Sequence, residues 1–451
     1  MEGRLLLKNC AVFRADGRYR TGMAIVVEEG KIARVARDEE VLVLPGDWAV
    51  ACRGRLVAPG LMDCHAHLVT GQLVPLAGEF LLRNPHARFE LQRRIESQLT
   101  ATEVEVLTAF AIARALRSGT TLLVEHLHCP ADVAGGLAAQ GRVAARLGAR
   151  FVNSHATTSW FGQASGSQQL EENAAIAERQ KSDPLVRCAL GFHASSSCDD
   201  DLLKRLGRLR GELHVGVHGH VAETEEDFAI SYSAHSQRIV PRLESFGLLG
   251  PGCIAAHARA IDRSEAERLA KTRTAIAISP FAGSLTERSG VVLETLLGDQ
   301  CLITLGTSGT VSLWDELFAA FGAAVRLSRI GRLLDPDGLM AHLLFSTPSE
   351  LCSLIFEQPS GNVEQGNLAD LVIYDHVPST EGSSGLAPHL LLQLGRAPVA
   401  WTIVAGRVVI REGRSLSHDY LELSAEADRV LSKLWNRTGA RLERSKSDST
   451  S

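Results

Sequence analysis

The chain lacks the marks of several whole classes of protein. None of its nine cysteines falls in a Cys-x-x-Cys pair. An odd, scattered set of this kind reads as reduced thiols rather than a disulfide framework. No apolar run reaches the roughly 18 residues that a membrane span needs. The opening Met1-Glu2-Gly3-Arg4 carries no leader pattern, so a cytoplasmic location is expected. A net charge of −5 gives no field that would draw a nucleic acid. No Gly-x-Gly-x-x-Gly, Walker loop or His-Glu-x-x-His occurs, nor a His-x-Glu with Pro-Cys-x-x-Cys. Gly306-Thr307-Ser308-Gly309 misplaces the second glycine of a nucleophile elbow. No internal repeat is visible. Arg205–Arg210 reads as a solvated helix face.

What is present is 451 residues, 45% hydrophobic and 22% charged, enough for a large core and two domains. The chain is organised around Leu56–Leu68, where an apolar run passes Pro59-Gly60 and ends in His65-Ala66-His67. Residues two apart on a strand share a face. His65 and His67 would then aim two imidazoles at one point, as a zinc-like metal requires. The plain alternative is two polar residues on an exposed strand. Cys64 faces away and reads as core. Two later apolar runs also end in histidine, at His218-Gly219-His220 and at His257. Parallel barrels gather their chemistry at the C-terminal ends of their strands.

Along the chain, residues 4–13, 22–36 and 41–57 read as short antiparallel strands, with turns at Gly30-Lys31 and Pro45-Gly46. From Pro59 apolar runs alternate with helical patterns. Eight runs stand at 61–68, 119–126, 150–156, 187–194, 213–221, 253–258, 274–279 and 301–306. Helical patterns lie at 101–118, 131–147, 200–206, 236–246, 263–271 and 313–327. This is an α/β chain, a (β/α)8 TIM barrel over 59–359. Beyond it the texture returns to β at 366–375, with a hairpin about Gly406. Residues 1–58 and 360–425 are expected to form one composite β-sandwich, and 426–451 a C-terminal helix and disordered tail. The polar stretch 161–173 reads as a mobile loop over the site.

With these residues in hand, the chain resembles the amidohydrolase superfamily, in its branch of cytosine and guanine deaminases and chlorohydrolases, and within that the SsnA-type aminohydrolases. The stretches that carry the likeness are Pro59–Leu68, Ser118–Thr121, Gly191–Ser195, His220–Thr224, Arg242-Leu243 with Gly247–Gly250, Ala255–His257, Leu305–Thr307, Gly366–Asp370 and Val404–Arg407. The resemblance implies a barrel with a terminal β-sandwich. It implies that His65, His67 and His220 bind one divalent metal ion, zinc or iron. It implies that Glu223 shuttles a proton between the attacking water and the leaving nitrogen, and that His257 orients the substrate. By analogy it implies a homodimer acting on a small molecule, without nucleic acid or membrane. Such a metal lowers the pKa of water toward neutrality, and a nearby carboxylate can protonate a departing amine. For Glu223 the plain alternative is a surface acid opening a helix beside Glu225, Glu226 and Asp227.

The likeness breaks at three places. Ser308 stands where the family has a metal-binding, proton-accepting aspartate, and a serine hydroxyl is a weak ligand and a poor base. Gly283 stands where asparagine is common, and Arg259 where a histidine is usual. Two readings follow. One is a working hydrolase of C–N bonds, deaminating a small amino-substituted heterocycle at a modified site, with Glu125, His126, His128, His193 or His218 as replacement ligand or base. For Glu125 and His218 a core role is preferred. The other is a catalytically impaired homologue with a binding, assembly or regulatory role.

Overall fold

The structure is a computed structural model that describes residues 3–13, 18–73, 85–286, 293–298, 300–309, 312–329, 331, 335–378, 390 and 393–438. The barrel strands are Leu61–Ala66, Thr120–Glu125, Arg150–Asn153, the broken pair Val186–Cys188 and Leu190–Ala194, Val217–Val221, Ile254–His257, Ala275–Ile278 and Leu302–Leu305. Each pairs in parallel with its neighbour. A Thr157–Phe192 bridge spans the break in strand four. Strand eight returns to strand one where the Ser308 N–H donates to His65 O at 3.0 Å. A Cβ at Gly306 would sit 2.6 Å from that of His65, so the closing seam requires glycine. Every strand falls on an apolar run read from the sequence.

The barrel interior packs Met62, Cys64, Leu122, Val124 and Ala277 against Leu351, Cys352 and Phe356. The last three belong to a helical stretch, Asp337–Phe356, with mean hydropathy 1.3. This corrects the expectation of no membrane-length segment: by length and composition alone the stretch qualifies. Its apolarity is used inside the protein, because Leu343, Leu344 and Phe345 enter the main core. All nine cysteines are free thiols.

The ends of the chain build one continuous sheet. Leu5–Phe13, Tyr19–Glu28 and Lys31–Arg37 run antiparallel, and Leu371–Tyr374, Val399–Val404 and Arg407–Arg411 do likewise. Leu56–Pro59 joins the halves by pairing with both Leu5–Phe13 and Leu371–Tyr374. Trp48–Ala51 and Leu56–Pro59 lie parallel to Leu5–Phe13 rather than antiparallel. Both halves share one core that includes Leu7, Ile25, Leu371 and Ile403. The two hairpin turns touch, since a Cβ on Gly406 would come within 3.1 Å of Gly30 Cα. Both glycines have positive φ, 72° and 77°, as a tight two-residue turn demands.

The helices follow the apolar periodicity, with side-chain caps at Thr100, Asp132 and Asp199. One expectation fails. The stretch 161–173 is no loop, because Gln163–Gln180 is helical. Its buried face is Gly166, Gln169, Leu170, Asn173, Ala174, Ile176 and Ala177, a helical spacing hidden by two polar members. Asn173 Oδ1 accepts from Gly191 N at 2.9 Å and its Nδ2 donates to Ala189 O at 3.1 Å. Hydrogen bonds to the barrel replace apolar contact there. The disordered tail expected at the C-terminal end lies outside the described residues.

The terminal sheet is tied to the barrel by a buried pair. Arg150 on strand three meets Asp370 at 2.5 and 3.0 Å, and Asp370 Oδ1 also accepts from Ala405 N at 2.7 Å. Removing one partner leaves the other charge buried and alone. Asp370→Ala is expected to lower the stability measured by urea denaturation by about 3–5 kcal/mol. An unchanged midpoint would mean the tether contributes nothing.

Candidate active site

Strand one delivers its histidines through a local irregularity. The register with strand two slips between Asp63 and Ala66. Asp63 is buried there, accepting from Thr307 N at 3.0 Å and Thr307 Oγ1 at 2.6 Å. Burial pushes its carboxyl up to about 6. The tie fixes the end of strand one against the end of strand eight, with His65 and His67 just beyond.

The direction of each ring proton can be followed from the partners. Ser154 Oγ donates to Glu125 O at 2.6 Å, so it accepts from His218 Nδ1 at 2.9 Å. His218 Nε2 is then an acceptor, and accepts the hydrogen bond that His65 Nδ1 donates at 2.9 Å. His65 Nε2 is left bare, buried and without a hydrogen-bond partner. His67 Nδ1 faces His126 O at 2.9 Å and must donate to it, which bares His67 Nε2. His126 Nε2 faces Phe192 O at 3.1 Å, which bares His126 Nδ1. Both bare nitrogens point at His220 Nε2, at 3.1 and 3.2 Å. One ligand atom from each of His65, His67, His126 and His220 lies within 4.8 Å of the others.

Burial first, and neighbouring imidazoles second, hold His65, His126 and His220 far below the ordinary histidine range. The same causes bring His218 to about 3 and His193 to about 4. Neutral imidazole is the form that binds a metal. Backbone carbonyls on the far nitrogens are the usual orienting partners of metal-binding histidines. The bare, buried His65 Nε2 and this all-nitrogen donor set fit a divalent ion.

Glu223 lies beside the cluster, 3.6 Å from His220 Nδ1 and 3.8 Å from His257 Nε2. It precedes Thr224, the N-cap of helix Glu225–His235, so it is not an acid of that helix's first turn. His257 and Ala258 both take positive φ, 75° and 50°. Two such non-glycine residues in succession cost of the order of 1–3 kcal/mol each and mark a constrained site.

The other candidates separate. Glu125 turns into the core, accepting from Leu68 N at 2.8 Å and Gln140 Nε2 at 3.1 Å, and burial pushes it up to about 8. His128 pairs with Glu96 at 2.7 Å. His193 meets Ser197 Oγ at 2.9 Å and packs its ring 4.4 Å from that of Trp160. Glu96, Trp160, His193, Glu223 and Asp227 line a cavity of about 180 Å³ beside the cluster. Ser308 has φ 50°. Ser279 Oγ donates to Gly306 O at 2.6 Å, so the Ser308 hydroxyl donates to Ser279 across 3.1 Å. Arg259 reaches within 3.5 Å of His257 Nδ1. A Cβ-bearing residue at 283 would bring that atom 2.7 Å from Arg259 Nη2. Gly283 thus makes room for Arg259.

Sequence reading passed over Asp63, Glu96, Ser154 and Trp160. Asp63 alone carried a signal, since it sits inside the first-strand motif. The rest depend on which strand ends meet.

An amidohydrolase family model matches residues 56–409. The chain is 27% identical to a 5'-deoxyadenosine deaminase from Methanopyrus kandleri, over 88% of this chain and 92% of that protein. It is 28% identical to a 5-methylthioadenosine/S-adenosylhomocysteine deaminase from Syntrophobacter fumaroxidans, over 92% of this chain and 94% of that one. A crystal structure of an adenosine deaminase from Xanthomonas campestris with bound zinc superposes with TM-score 0.81 at 21% identity, covering 96% of this chain and 98% of that one. With a match across most of its length, the chain belongs to the amidohydrolase family.

Proposed function

We propose that this chain is a zinc-dependent deaminase of adenosine-type nucleosides, replacing the exocyclic amine of the purine with oxygen. The observation that carries this reading is the convergence of bare imidazole nitrogens, with Glu223 beside both His220 and His257. The names of the deaminase relatives support the substrate class. An all-imidazole set suits zinc, and a neighbouring fold carries it. His65, His67 and His220 are the proposed ligands. A divalent ion held there supplies a water of near-neutral pKa.

Glu223 takes the proton of the attacking water and delivers it to the amine nitrogen as it leaves. His257, held by the strained strand end, orients the ring nitrogen that must accept charge. Trp160 and His193 present aromatic faces against which a flat base can stack. Glu96 and Asp227 also line this cavity, as candidate acceptors for sugar hydroxyls. The same assembled cluster supports an enzyme over the non-catalytic reading of Ser308.

The zinc-loaded protein is expected to release ammonia from adenosine, 5'-deoxyadenosine or 5'-methylthioadenosine. Glu223→Gln should lower kcat by about 10²–10⁴-fold with zinc content unchanged. Stoichiometric zinc without turnover of any of the three would sink the substrate class.

The His65–His218–Ser154 chain makes a separate prediction. His218→Leu removes the acceptor for His65 Nδ1. Zinc affinity, read by chelator competition, should fall about 10–100-fold. Unaltered affinity would show that the chain does not hold His65 in its ligating tautomer.

A further inference from the structure

We propose that His126, at the end of strand two, is a fourth metal ligand, and that it fills the coordination place for which strand eight offers only Ser308. This deepens the metal reading above and rests on it.

Proton counting carries the argument. His67 Nε2 and His126 Nδ1 are both bare, because their far nitrogens face the carbonyls of His126 and Phe192. Both point at His220 Nε2, at 3.1 and 3.2 Å. That nitrogen carries at most one proton, and one proton serves one of the two. Without a cation, at least one pair of lone pairs faces across little more than 3 Å in a buried place. A histidine with only a core role would turn an N–H toward its neighbour. The separations suit a shared ion, since nitrogens each about 2.0–2.1 Å from a zinc lie about 3.0–3.4 Å apart. His65 Nε2, buried and unpartnered, completes the set.

Strand eight offers only a neutral hydroxyl, a weak ligand and a poor base. The Ser308 hydroxyl proton is directed to Ser279, which is itself committed to Gly306 O. Glu125, the residue before His126, faces the opposite way and is held by Leu68 N and Gln140. The ligand set becomes four neutral imidazoles. Compared with a site containing a carboxylate, the ion keeps one more unit of positive charge. Such a site favours nitrogen-seeking zinc, nickel or copper over magnesium or manganese. The only carboxylate in the two candidate ligand groups is then Glu223, so both proton transfers fall to it.

Zinc K-edge X-ray absorption on the loaded native protein counts imidazoles through their multiple scattering. The expected number is four, falling to three in His126→Gln, which keeps a side-chain donor for Phe192 O. By chelator competition His126→Gln should lose more than the 10–100-fold, roughly, that an outer partner costs, while Ser308→Ala stays within a few-fold of native. Three imidazoles in the native protein, or a count unchanged in His126→Gln, would overturn the fourth ligand and leave the metal reading intact. No zinc uptake by the native protein would overturn both.

Discussion

Everything at this site depends on which nitrogen of each imidazole carries its proton. Several buried rings within hydrogen-bond distance of one another form an awkward arrangement in a low-dielectric interior. An imidazole proton pointing the wrong way would satisfy a neighbour and erase a ligand. The barrel prevents this from outside the cluster. The carbonyls of His126 and Phe192 and the Ser154 hydroxyl hold the far nitrogens as donors or acceptors. Those groups sit at or just beyond the ends of strands two, three and four. The tautomers are therefore set by strand register, and register is set by barrel closure. The glycine seam at Gly306 and the Asp63–Thr307 tie are as much a part of the metal chemistry as the rings.

The scaffold was legible because burial writes itself into apolar runs. Eight strands buried on both faces cannot hide, and their helices show the 3.6-residue spacing. The misreadings have separate causes. The helix Gln163–Gln180 buries Gln169 and Asn173 through hydrogen bonds, so its inner face does not look apolar. The strands Trp48–Ala51 and Leu56–Pro59 look like meander strands, since pairing direction leaves no trace in a four-residue pattern. Asp337–Phe356 is apolar on both flanks because it faces two cores at once.

The site was legible in kind more than in detail. His65-x-His67 and the histidine ends of later runs point to a metal from spacing alone. What spacing could not do was choose among Glu125, His126, His128, His193 and His218. Glu125, His126 and His128 crowd the end of one strand, and its twist decides which enters the cluster. His193 faces Trp160 and the cavity mouth. His218 lies behind His65, where its part is to accept a proton. That distinction needs Ser154, just beyond the end of strand three, with no motif to mark it.

The departures from the family pattern also change meaning once they are placed in space. Read one at a time, Ser308, Arg259 and Gly283 are losses from a catalytic set. In the fold they come with partners. Arg259 occupies the room that Gly283 leaves, and a β-carbon at 283 would lie 2.7 Å from its Nη2, so the guanidinium would have to shift. Arg259 Nη1 is buried and unpartnered, next to the ring of His257. Ser308 spends its proton within strand-end serines, while His126 turns a bare nitrogen toward the place where ligands meet. A site released from function has no reason to keep bare imidazole nitrogens crowded against one another with no ion between them. Nor has it reason to retain two consecutive left-handed residues at His257 and Ala258, whose strain the rest of the barrel must offset. The changes move the charge of the centre in one direction, from an acidic ligand toward neutral imidazoles and a nearby guanidinium. On the reading proposed above, a centre altered in that way would keep the means to activate water and give Glu223 a stronger field in which to hold its charge.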